Sequence, residues 1–410
     1  MPAAILVLSF AVLLPPPPSG ADPERPEPLP ADALGVILPA PPPAPHQVWV
    51  ADFVLERTAG FDANDGRLLG MLSAGVGTIA PLFSQARGEI YLPETYYSRG
   101  SRGTRTDVVT IYDAATLAPE AEVVVPPKRA DVVHAMALST LLDDGRFLAI
   151  ANFTPATSVT IVDVEERRLV GEIATAGCHL VYAAGPRRFF MICGDGSLLQ
   201  VTLDEAGHEQ ARIRTPPFFA ILEDPVTEKA VRRGDEWIFV SFDGLVHSVD
   251  VAGETPRFAE PWSLLDEADR GASWRIGGVQ HLAVHEASGR LYSLMHRGGP
   301  DEHKVPGTEI WVYDLETRRR VQTIGIRNLL GAFLAQQTGT PGGALLWLLE
   351  RVVPNPGVDS IAVSQDADPR LFGLSRSAGT VAVWDARSGE FLRYLENVGI
   401  APGALQAPWR

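Results

Sequence analysis

The chain has 410 residues, of which 46% are hydrophobic, and a formal net charge of −15. With a mean hydropathy of +0.05, this is the make-up of a folded soluble protein with room for a large core. The negative charge argues against nucleic acid or an anionic membrane as a partner, and no basic run offsets it locally.

The N-terminus opens with an apolar run over residues 3–14, too short to cross a bilayer comfortably. Ser19, Gly20 and Ala21 follow it and suit a secretory cleavage site. Residues 1–21 are therefore expected to be a signal peptide, which leaves no membrane span in the mature chain. No Lys or Arg precedes the run, so the true translation start stays open. Residues 22–45 are Pro-rich, with a short helix-capable piece at 31–36, and read as an extended arm.

From residue 46 onward one unit recurs. A turn with Gly or Asp, often followed by Arg, leads into an apolar strand. A polar connection comes next, then a strand ending in Asp, a tight turn and an outer strand. The Asp ending the third strand falls at Asp62, Asp113, Asp163, Asp204, Asp250, Asp314 and Asp385, in steps of 51, 50, 41, 46, 64 and 71 residues. The clearest copy is EIWVYDLETRRRV at 309–321. Seven units of four short antiparallel strands make an all-β, seven-bladed β-propeller over 46–400. The long last step contains an expected insertion at 327–354, and 401–410 reads as a C-terminal tail. The insertion reads either as a surface piece packed on its own blade or as a partner-binding lobe. Each repeated Asp is expected to close its turn by accepting backbone N–H groups, not to act as a catalytic acid. Trp384–Asp385 has no Gly-His partner ahead of it, so this is not a WD40 array.

Two cysteines, Cys178 and Cys193, flank a turn at 185–186. An even count in an exported chain invites a disulfide, and a hairpin could bring them within reach; two buried thiols are the alternative. His281 and His285 share a strand face, with His296 beyond, but packed or surface histidines explain them without a metal. Asp143 and Asp144 sit in a turn. Arg99, Arg102 and Arg105 form a basic loop that suits either an anion or plain solvation. No nucleophile elbow and no phosphate-cradling glycine loop is present, and neither a catalytic set nor a metal site is expected in this chain.

Several stretches, in order, resemble the large subunit of the quinoprotein amine dehydrogenases: RGTRTDVVTIYDAATL at 102–117, PPKR at 126–129, PATSVTIVDV at 155–164, GCHLV at 177–181, MICGDGSLL at 191–199, PWSLLDEADR at 261–270, SGRLYSLMH at 288–296 and HKVPGTEIWVYD at 303–314. The flavour of PPKR, MICGDGSLL and HKVPGTEIWVYD is nearer the aromatic amine dehydrogenases than the methylamine ones. The resemblance implies a noncatalytic propeller subunit in a periplasmic heterotetramer of two large and two small subunits (α2β2). The small subunit carries the tryptophan tryptophylquinone cofactor and the catalytic Asp base, and this chain carries no cofactor. The enzyme oxidises a primary amine to aldehyde and ammonia and passes electrons to a blue copper protein such as amicyanin or azurin. The resemblance also implies that Cys178 and Cys193 pair, and that a Phe gates the substrate channel, for which Phe53 is the candidate. The 327–354 insertion and the last ten residues depart from the family's pattern. A stand-alone exported propeller that binds a ligand or protein, with no redox role, is the other reading.

Overall fold

The computed structural model describes residues 39–77, 80–131, 135–328 and 355–409. The expected signal peptide, the arm up to residue 38 and the insertion from 329 to 354 lie outside the described residues.

Strands rich in Val, Ile, Phe and Tyr pair with their chain neighbours across tight turns, which produces seven separate antiparallel sheets. The third sheet is typical, with Ser139–Leu141, Phe147–Asn152, Ser158–Asp163 and Arg168–Ala174 in spatial order from the axis outward. Its two middle strands are buried at every position, whereas the outer strand is mostly exposed. That pattern follows from packing both faces of each sheet against neighbouring blades. The apolar residues accordingly gather in cores between successive blades. Phe147 and Val159 of the third blade meet Phe189 and Val201 of the fourth, and Val48 and Phe61 of the first meet Phe372 and Leu374 of the seventh. Each large side chain buried there contributes about 1.5–3 kcal/mol.

The ring closes through its first blade. Ahead of the second blade the chain supplies only Gln47–Asp52, Arg57–Asp62 and Leu68–Ser73. The innermost strand of that sheet is Pro402–Gln406, antiparallel to Gln47–Asp52 with Val50 opposite Leu405. The expected tail therefore belongs to the propeller, and it saturates an edge that would otherwise stay open. Gln280 reinforces the seam. Its Nε2 donates to the carbonyls of Ile361 and Leu405, and its Oε1 accepts from the Leu405 N–H.

In such a meander the first-to-second and third-to-fourth turns share one end of the ring. The second-to-third turns and the links between blades share the other. The first end is called the turn end below and the second the loop end.

At the turn end all seven repeated Asp side chains do what the sequence suggests. Each accepts at least one backbone N–H within its own turn: Asn64, Thr116, Glu166, His208, Ala252, Thr317 and Ser388 are among the donors. Three of these carboxylates also take an Arg from the start of the neighbouring strand: Arg146 on Asp163, Arg290 on Asp314 and Arg370 on Asp385. The recurrent Arg of the unit is thus half of a cross-strand ion pair. Further links join different blades at this end, among them Arg87–Glu165, Arg167–Glu120 and Arg232–Asp143.

Candidate functional site

Ala404 of the closing strand packs with Ala51, Ala130, Ala135 and Leu138 in a cluster built mostly of methyl groups. Beside it lies a cavity of about 510 Å³, lined by inner-strand residues of several blades, including Thr140, Val181, Val231, Leu282 and Ala404. Phe53, Lys304 and Arg376 belong to second-to-third turns and also line it, so the cavity lies at the loop end. Phe53, Tyr182 and Trp237 are the aromatic residues of its lining, Tyr182 being buried with its ring stacked on Phe190.

Phe53, the candidate channel residue, thus stands in the wall of this cavity. It packs on the closing strand, where a side chain at Gly403 would overlap its ring. The turn carrying Phe53 is fixed by Asp52, which is buried. One carboxylate oxygen of Asp52 accepts the Val54 and Leu55 N–H groups, and the other accepts those of Ile400 and Ala401. Burial raises the Asp52 carboxyl, but these four donors outweigh it and leave its pKa below the usual range.

Charge enters the wall through Glu228, Lys229, Lys304 and Arg376. The Lys229 ammonium is largely buried and donates to Glu228 Oε1 at 2.8 Å. Burial pushes the Glu228 carboxyl up, yet the attraction of Lys229 holds it below its ordinary value. Behind the wall His281 is fully buried, with Nε2 3.0 Å from Thr227 Oγ1 and Nδ1 unpartnered. Burial, aided by Lys229, pushes its pKa down to about 3, so the ring is neutral.

The other sequence candidates disperse. His285 bonds Ser288 and the Asp366 carbonyl, and His296 approaches the Arg297 carbonyl, so the three histidines serve different partners. Among the described residues no three His, Cys, Asp or Glu side chains converge as metal ligands. The basic loop splits. Arg105 clamps Asp107 through two bonds of 2.8 Å and reaches Asp131, while Arg99 and Arg102 stay exposed at the tip. In the turn pair, Asp143 binds Arg232 through two bonds, and Asp144 caps its own turn. Cys178 and Cys193 face each other across the first two strands of the fourth blade and form a disulfide. Sequence reading missed Glu228, Lys229, Lys304, Arg376 and Gln280. The signal was positional: the first four lie in a blade link or a second-to-third turn, and Gln280 in the break between Trp274–Ile276 and Leu282–His285 of the sixth sheet.

The loop end is also where exposed apolar side chains collect. Leu222 is 88% exposed, Ile400 70% and Val54 65%, and Phe153, Met136, Ile221 and Val305 join them. Among the described residues, no turn of the opposite end exposes a large hydrophobic side chain.

Comparison with known proteins completes the picture. The family described as methylamine dehydrogenase heavy chain (MADH) matches residues 46–342 and 348–407. The methylamine dehydrogenase heavy chain of Paracoccus versutus is 29% identical over 373 residues, covering 90% of this chain and 80% of the relative. That of Methylophilus methylotrophus is 26% identical over 348 residues, covering 84% and 78%. Among solved structures, a functionally unknown protein from Desulfotomaculum acetoxidans superposes with a TM-score of 0.56 at 10% identity, covering 88% of this chain and 98% of that one, which speaks for the fold alone. The family match runs through most of the expected insertion, leaving out 343–347, and reaches residue 407. Residues 401–407 and most of 327–354 therefore fall within the family match and are not departures from it. The named relatives do not add to the aromatic leaning of the motifs.

Proposed function

Because the chain belongs to the methylamine dehydrogenase heavy chain family, we propose that it is the noncatalytic large subunit of a periplasmic tryptophan tryptophylquinone amine dehydrogenase. The enzyme takes a primary amine to aldehyde and ammonia and hands electrons to a blue copper protein. The working assembly is an α2β2 heterotetramer. The quinone, carried by the small subunit, supplies the redox chemistry. This chain docks that subunit, walls the substrate channel and excludes water from it.

The observation that carries this reading is the union of the family match with an apolar rim. Leu222, Ile400, Val54 and Phe153 are exposed in blade links and second-to-third turns, at the end of the ring where the cavity lies. Exposed apolar clusters of this kind mark docking surfaces. We place the small subunit on the loop end, with Phe53 forming part of the channel wall. Asp52 is a positioning residue for it, since it ties the Phe53 turn to the closing strand.

Native purification followed by mass spectrometry tests the proposal. A small exported partner with a cross-linked Trp pair is expected to come along, and the isolated chain is expected to lack quinone absorbance and amine oxidation. Amine oxidation by the isolated chain would contradict it. Elution as a lone monomer from the native source would favour the stand-alone propeller instead.

A further inference from the structure

The middle hairpin of the second blade is longer than its counterparts. Its strands, Glu89–Tyr97 and Arg105–Asp113, pair at nine positions, from Glu89 with Asp113 at the turn end to Tyr97 with Arg105. The middle strands of the other six blades pair at five or six positions. The surplus falls at the loop end. Three further residues at ~3.3 Å each give about 10 Å of extra strand there.

Polar contacts brace this extension. Glu94, Thr95 and Asp107 are buried within it. Glu94 accepts the Gly75 N–H and the Thr110 hydroxyl, and the Thr95 carbonyl accepts the Val76 N–H, which ties in the link from the first blade. Asp107 accepts the Arg105 guanidinium and the Arg129 N–H, and Arg105 Nη2 also donates to the Arg129 carbonyl. The Tyr97 hydroxyl donates to Asp131 at 2.7 Å. The link that carries Arg129 and Asp131 also holds the rim, because the Lys128 carbonyl accepts the Phe153 N–H at 3.0 Å. The hairpin and the exposed Phe153 are thus fixed to one piece of chain.

The tip closes through the Ser98 N–H on the Thr104 carbonyl and the Arg99 N–H on the Arg102 carbonyl. Arg99 and Arg102 are exposed there, and neither forms an ion pair among the described residues. The third arginine of the loop, Arg105, is committed to Asp107 and Asp131. A chain of net charge −15 therefore carries two unneutralised guanidiniums on a braced projection. A guanidinium fork matches a carboxylate in two parallel bonds. A hairpin already held in place loses little freedom when it binds.

We propose that this hairpin clasps the small subunit, with Arg99 and Arg102 meeting carboxylates on an acidic edge of that partner. The inference rests on the placement of the small subunit at the loop end. Position names the occupant: Val54 and Phe153 lie in the turns of the flanking first and third blades, so a protein seated on them stands beside the hairpin. Charges at the edge of an interface act through encounter and register, and salt weakens them.

Arg99→Glu with Arg102→Glu, carried in the full assembly, tests this by analytical ultracentrifugation over a salt series. Subunit association is expected to weaken about tenfold or more at low salt. The deficit should fade near 1 M salt, where the screening length is about 3 Å. Arg99→Lys with Arg102→Lys keeps the charge and is expected to assemble close to the parent. Thermal unfolding of both variants should match the parent, because both side chains are exposed. The proposal is overturned if the Glu variant assembles like the parent, if its loss persists at high salt, or if it slows reduction of the electron acceptor while assembly stands. Each of those results leaves the subunit reading intact. A parent chain that purifies without a small partner overturns that reading, and the role of the hairpin with it.

Discussion

At one end of the ring, seven Asp carboxylates close seven turns, and Arg146, Arg290 and Arg370 tie three of them across to the neighbouring strand. At the other end, where the cavity lies, the same blades turn around loops of unequal length that carry Val54, Phe153, Leu222 and Ile400 into solvent. The two ends come from one repeat, but they put different residues at the turns. Where the turn carboxylates find their partners inside the chain, they serve the fold. Where apolar side chains and cations are left over, the surface is made for something outside the chain.

The contrast can be broken most sharply at the rim. Leu222→Asp with Ile400→Asp is expected to weaken small-subunit association about a hundredfold or more. Thermal unfolding should barely move, because both side chains are exposed. Titration calorimetry and a melting curve on the same sample separate the two effects. A loss of fold without a specific loss of association would place the rim among the structural elements.

The disulfide is the exception that sharpens the comparison, since it is a structural tie at the loop end. Its two cysteines are 15 residues apart, and closing a loop of that length is worth about 3 kcal/mol. Cys178→Ser with Cys193→Ser should lower stability by roughly that amount, read by denaturant unfolding.

At the turn end, Asp163→Ala is expected to cost about 1–3 kcal/mol. It removes the acceptor for the Glu166 N–H and leaves Arg146 without its buried partner. Association with the small subunit should be unchanged, the reverse of the rim variant.

Acid gives the smallest effect. His281 is neutral in the fold, with a pKa of about 3 against 6.5 for the free side chain. The unfolded chain therefore binds one more proton between those values. Stability falls as pH drops below 6.5, by about 1.4 kcal/mol per unit at most from this group. His281→Gln should make the slope shallower between pH 6 and pH 5 in urea titrations at fixed pH, and an unchanged slope would assign the loss to other groups.

Much of the turn end was legible in the sequence, because a strand followed by Asp and a tight turn is a local pattern. Asp314 in EIWVYDLETRRRV signals its turn with no help from distant residues, and Trp311 is blade packing as its alternation suggests, with Arg320 stacked 3.9 Å from its ring. The disulfide was legible as one of two outcomes, since a hairpin brings its ends together. The loop end was less legible because it is made by non-local pairing. Pro402–Gln406 looks like a tail until it is noticed that the first blade has three strands and a ring needs a fourth. The Glu228–Lys229 pair, Lys304 and Arg376 lie far apart in sequence and come to one cavity only because the ring brings their loops together. Phe53 was reached through a family resemblance, and its place in the cavity wall came from the fold.

Hydrogen–deuterium exchange on the natively purified assembly, compared with the isolated chain, tests the central claim most directly. The account predicts protection on binding at 53–56, at Met136, at Ile221 and Leu222 and at Ile400, with the turns that follow the seven Asp residues unchanged. Protection at those turns with none at the rim would contradict it.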